Sequence, residues 1–168
     1  MTHKIVLSAM IASLYAGATL LLQPISFGPV QLRVAEALSL LPFYIPEAIP
    51  GLFVGCILSN MLGGLGPIDI ILGSAATFAA AWLTYRMPNM WLAALPPVVI
   101  NAAVVGGYLS FLTDTPAYLS IVYLAVSQTA VCFGLGIPLC RLIMRTKIFE
   151  GFISSKGSRP EESGENKS

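Results

Sequence analysis

Only six charged residues interrupt the stretch from Ile5 to Cys140: Arg33, Glu36, Glu47, Asp69, Arg86 and Asp114. The other charges crowd the two ends, mostly after Cys140. Such spacing leaves too few charges for the polar shell of a water-soluble fold. Apolar and aromatic residues make up 56% of the 168-residue chain. Counting glycine takes the share to roughly two-thirds, against about 45–50% in an average soluble domain. A chain of this length lacks the interior to hide so much apolar surface. A soluble enzyme, a disordered chain and a disulfide scaffold are excluded, and a bilayer is the solvent that fits. The net charge of +1 gives no basic field for nucleic acid. Cys56, Cys132 and Cys140 are odd in number and lie in apolar runs without CxxC or CxxH spacing, as small core residues do.

A helix needs about 20 apolar residues to cross a bilayer. Runs bounded by proline, glycine and polar clusters predict six helices. The first covers Ile5 to Leu22 and closes at Gln23-Pro24. A shorter second runs from about Gln31 to Ile45 and stops at Pro46. The third begins at Glu47 or Pro50 and reaches Leu62, before the glycine-rich turn to Pro67. The fourth covers Ile68 to Tyr85, the fifth Trp91 to Leu112, and the sixth Leu119 to about Met144. The second and third are short enough to form one bent or re-entrant pair.

Lysine and arginine orient the bundle. With six spans both termini share a side, and eight of the nine positive residues fall there, Arg33 being the exception. Both termini are therefore expected in the cytoplasm. Ala16-Gly17-Ala18 resembles a signal-peptide cleavage site, but the apolar run continues to Leu22, and cleavage would break the charge pattern. The chain divides into a transmembrane domain over 1–150 and a disordered, solvated cytoplasmic tail over 151–168. No internal repeat is evident, which weakens inverted-repeat transporter folds.

A charged residue inside a span costs about 2.5–3.5 kcal/mol on the insertion scale, so each invites a functional explanation. Arg33 and Glu36 are three apart and share a helix face. Two readings stand: a self-satisfied ion pair, or groups facing a polar cavity that opens outward. Gln31 adds an amide at the same mouth. Asn60, Asp69 and Gln128 project to the same outer half, and Asn101 sits near mid-depth. Asp69 is equally well explained by the dipole of its own helix start. Glu47 reads as a helix cap beside Pro46, and Asp114 as a turn residue. Amides with one or two charges suit a polar planar molecule held by paired hydrogen bonds.

Small residues recur at four-residue spacing as Ala12-x-x-x-Ala16 and Gly51-x-x-x-Gly55. Such pairs let helices approach closely, within the chain or against a partner. The lone histidine, His3, excludes His-based metal and nucleophile sites, and no HExxH, GxxxxGK[ST] or GxSxG occurs. Catalysis is not expected, and an ATP-driven process would need a partner carrying the ATPase.

The run Pro24-Ile25-Ser26-Phe27-Gly28-Pro29-Val30-Gln31-Leu32-Arg33, with Ala35-Glu36-Ala37-Leu38 and Leu41-Pro42, resembles the QueT family. So do Ala48 to Cys56, Asp69 to Ser74 and Leu95 to Ala102. The resemblance runs from about Val6 to Leu142. It implies a six-helix substrate-binding S component of an energy-coupling factor transporter, taking up a queuosine precursor such as aminomethyl-deazaguanine or queuine. It also implies partners: a transmembrane coupling protein and two ATPases that use the ATP, this chain holding no cofactor. The Ala12/Ala16 pattern would dock the coupling protein. Glu36 would accept the paired N–H groups of a guanine-like edge, with Arg33, Gln31 and Asn101 as donors. The family pattern carries a carboxylate on the last helix where this chain has Gln128, which puts affinity for an aminomethyl cation in question. Other readings are an autonomous secondary carrier, an S component for another vitamin, an intramembrane enzyme and a purely structural subunit.

Overall fold

Apolar runs broken by proline and glycine set where each rod starts and stops. In the computed structural model, which describes residues 2–26, 33–64, 66–113 and 115–145, every regular element is helical among the described residues. The expected tail at 151–168, Gln31 and Asp114 lie outside the described residues. The first rod is α1 (Thr2–Leu21), followed by the one-turn α2 (Gln23–Ser26). A 3-10 helix covers Val34–Phe43, and α3 covers Ala48–Leu62. A π-helical stretch, Asp69–Gly73, runs into α4 (Ser74–Arg86). The short α5 (Met90–Ala93) leads into α6 (Leu95–Thr113), which opens on Pro96-Pro97 in its first turn, where proline costs no hydrogen bond. The last rod joins α7 (Ala117–Thr129), a π-helical stretch (Ala130–Gly136) and α8 (Ile137–Arg145).

Among the described residues, six helical rods thus follow one another in the expected order. Three are long and apolar enough to cross a bilayer: Thr2–Leu21, Met90–Leu112 and Ala117–Arg145. Val34–Phe43 and Ala48–Leu62 are apolar but shorter. Large apolar side chains such as Met10, Leu14, Val99, Phe111 and Val126 point outward. A soluble monomer does not expose this much apolar surface, whereas lipid covers it without cost.

The second rod differs from expectation in kind, because it is a 3-10 helix and not an α-helix. Runs of this type longer than three or four residues are uncommon. Here the narrower rod sits centrally, against α1, α3, α4, α5, α8 and the Ala130–Gly136 stretch. Every residue from Ala35 to Pro42 is buried. Pro42 has no N–H to give to an α-helical ladder. The Ser39 hydroxyl donates to the Glu36 carbonyl, so its polar group is met within the same turn.

The small-residue pairs act inside the chain. A Cβ at Gly51 would stand 2.7 Å from the Ser8 carbonyl oxygen, and one at Gly55 2.8 Å from that of Ala12. The backbones of α1 and α3 therefore touch. Leu7, Ile11, Tyr15, Leu52 and Cys56 join Leu40 and Ile45 in one core around this seam. A similar approach joins α6 to α7, where a Cβ at Gly106 would meet the Ile121 Cα at 2.9 Å.

Glu47 does not cap α3 with its side chain. Its carboxylate instead pairs with Lys4 Nζ at 2.8 Å, a full charge being a stronger partner than a backbone N–H. Its carbonyl accepts the Ser8 hydroxyl at 2.8 Å, so the start of α1 is tied to the start of α3. Burial works against the Glu47 charge, but hydrogen bonds from Lys4 and its own backbone, with the ammonium charge, hold its carboxyl below the usual range.

Candidate functional site

Charged and amide side chains in an apolar bundle must find partners among the rods, and here they converge. Arg33, Glu36, Asn60, Asp69, Asn101 and Gln128 are all no more than 3% exposed. Arg33 stands at the entry of the 3-10 helix, and Glu36 lies one turn on, where i and i+3 eclipse. The Arg33 guanidinium donates to Asn60 Oδ1 at 3.3 Å. Asn60 Nδ2 donates in turn to the Asp69 carbonyl at 2.9 Å, and Asp69 Oδ1 accepts the Tyr108 hydroxyl at 2.7 Å. One polar chain therefore crosses from the 3-10 helix through α3 and the Asp69–Gly73 stretch to α6. Gly73 packs close under this chain: a Cβ there would lie 3.3 Å from Asn60 Nδ2 and 3.4 Å from Tyr108 Oη.

Glu36 forms the second centre. Its Oε1 accepts the Tyr15 hydroxyl at 2.6 Å, and its Oε2 has no hydrogen-bond partner. Arg33 acts on it through its charge. Asn101 adjoins Glu36, and neither its Oδ1 nor its Nδ2 meets a partner at full hydrogen-bond geometry. A buried polar atom left in this state costs about 1–3 kcal/mol. Gln128 joins through Cys132, whose thiol is 3.8 Å from Gln128 Oε1 and 4.0 Å from the Glu36 carbonyl.

The sequence reasoning missed Tyr15 and Tyr108. Tyrosine is common at membrane interfaces, so Tyr108 near a helix end reads as an anchor. Tyr15 in mid-span carried a usable signal, because a buried phenol needs a partner for its hydroxyl. Asp69 belongs to the polar chain and does more than answer its own helix dipole. Ala12 and Ala16 are 5% and 7% exposed, and Ala12 packs on Gly55, so this pair faces inward. The outward face of α1 presents Ala9 and Ser13 instead.

Buried acceptors and amides of this kind are groups that bind a polar molecule. The family described as QueT transporter matches residues 5–145, most of the chain. The chain belongs to the QueT transporter family. The family is described as one of transporters, and the apolar rods of this chain fit a multi-pass membrane protein. It is also 37% identical over 78 residues to a Queuosine precursor transporter QueT of Lactococcus lactis subsp. cremoris (strain MG1363). That stretch covers 45% of this chain and 46% of the relative, so the match spans about half of its length. No solved structure matches.

Proposed function

We infer that this chain captures a queuosine precursor, a deazaguanine such as aminomethyl-deazaguanine or queuine, as the substrate-binding subunit of an ATP-driven importer in a bacterial cell membrane. The observation that carries the reading is Glu36: wholly buried, one oxygen fixed by Tyr15 and the other without a partner, beside the unpartnered amide of Asn101. A bound polar edge would return the cost of keeping those atoms unmet. Arg33, Asn60, Asp69 and Gln128 complete the polar surroundings, and Gln31 would join them at the mouth.

In this reading six spans leave both termini in the cytoplasm and open the site outward. ATP is used by two partner ATPases, coupled through a transmembrane protein that docks on the outward face of α1 at Ala9 and Ser13. The experiment is uptake of labelled deazaguanine into proteoliposomes. Transport that requires the coupling protein, the ATPases and ATP supports the importer. Uptake by this chain alone under an ion gradient would favour the secondary carrier instead.

A further inference from the structure

Phe78, Trp82 and Arg86 stand at four-residue spacing on α4 and so form one ridge along its surface. All three are exposed, and Phe53 of α3 packs edge-on against Phe78 with ring centroids 5.4 Å apart. The ridge therefore faces outward, away from the polar chain at the centre. Arg86 ends α4, and Met87 turns to an extended conformation ahead of Pro88. The Arg86 guanidinium carbon lies 3.8 Å from the centroid of the Trp82 ring. Among the described residues no carboxylate pairs with this cation. The dipole of the helix end favours a cation at this position. It gives no reason for the aromatic rings that lead up to it on the outer face.

We propose that this ridge binds an anionic phospholipid, its phosphate on Arg86 and an acyl chain along Trp82, Phe78 and Phe53. Tryptophan settles where hydrocarbon meets headgroups, so a guanidinium stacked on it stands at the depth of the lipid phosphates. The planar fork of arginine matches phosphate oxygens while its face rests on a ring. From Arg86 to Phe78 the ridge runs about 12 Å, most of the hydrocarbon depth of one leaflet, about 15 Å. A zwitterionic lipid brings its own ammonium close to the guanidinium, so a lipid of net negative charge is favoured. The site stands apart from the substrate reading above and does not depend on it.

The test uses Trp82 as reporter in the full-length protein. Trp91→Phe removes the other tryptophan, which is 58% exposed and can be replaced without opening the core. This protein is reconstituted in phosphatidylcholine vesicles that contain phosphatidylglycerol or phosphatidylcholine brominated in the upper acyl chain, and quenching by the two lipids is compared. Phosphatidylglycerol should be favoured by about fivefold, the scale of one basic residue at a lipid surface. Arg86→Gln should bring the ratio close to unity. Arg86→Lys keeps the charge but not the fork, and should retain less than half of the preference. Equal quenching by both lipids, or a ratio unmoved by Arg86→Gln, overturns the proposal. A ratio kept in full by Arg86→Lys reports surface charge without a built site and overturns it as well. If Trp91→Phe does not fold, native mass spectrometry decides: wild type should retain phosphatidylglycerol and Arg86→Gln should lose it, and equal retention contradicts the site.

Discussion

At Glu36 one carboxylate oxygen accepts the Tyr15 hydroxyl, and Asn101 stands beside it. Gln128, 1% exposed and linked to the Glu36 backbone through Cys132, is the neighbouring position at which charge can be added. Gln128→Glu should shift preference toward an aminomethyl-deazaguanine cation over a neutral deazaguanine by about tenfold in comparative titrations, the scale of a charge-assisted hydrogen bond. An unchanged ratio would remove Gln128 from the determinants of ligand charge. Farther along, the Lys4–Glu47 pair gives a pH signature. The Glu47 carboxyl is held low in the fold, so its contribution is complete at neutral pH and fades as the pH drops through that lowered value. Lys4→Met should lower the unfolding temperature slightly at neutral pH and leave it unchanged at the acid end, so that the profile between them flattens, the effect being small because Lys4 is largely exposed. The charged and amide residues of the site were legible in the sequence because each is costly in an apolar span. Tyr108 was not, since a tyrosine near a helix end is equally at home at an interface, whereas Tyr15 in mid-span carried a signal in its buried phenol.

Among the elements, the seam between α1 and α3 is the least tolerant. Gly51→Leu would drive a side chain into the Ser8 carbonyl oxygen and Ile11, and the obstacle at 2.7 Å is backbone, which cannot rotate away. Overpacking of this kind costs about 1–3 kcal/mol. The variant should show a clearly lowered unfolding temperature in detergent, whereas leucine at Gly17, where a Cβ meets nothing within 4 Å, should not. The order of the six rods was readable from apolar runs ended by Pro46, Pro67, Pro88 and Pro116. Their winding was not. Segments that are apolar on every side carry no periodic contrast, so windings of three, 3.6 or more residues per turn leave the same pattern. Hence the 3-10 helix over Val34–Phe43 and the π stretches at Asp69–Gly73 and Ala130–Gly136 emerge only from packing. Both π stretches adjoin the polar cluster, one holding Asp69 and the other Cys132, a placement such irregular turns often have.

For the molecule as a whole, the charge asymmetry makes a definite topological statement. A cytoplasm-dependent fluorescent reporter fused at the C-terminus should be active, and a phosphatase inserted in the loop near residue 115 should be active on the outer side. The reverse pattern would turn the site toward the cytoplasm and defeat capture from outside. The small-residue pattern on α1 shows the reach of sequence at this scale. Ala12-x-x-x-Ala16 marks a close helix approach correctly, but spacing alone does not say which neighbour is approached, and here Ala12 meets α3. The most direct measurement is calorimetric titration of the purified protein with queuine, aminomethyl-deazaguanine, cyano-deazaguanine and guanine, with Glu36→Ala alongside. Tight binding of one deazaguanine, weakened at least about a hundredfold in the variant, is expected from losing a buried charged acceptor. A folded wild type that binds none of them, or a variant that binds as tightly as wild type, would contradict the placing of Glu36 at the centre of a deazaguanine site.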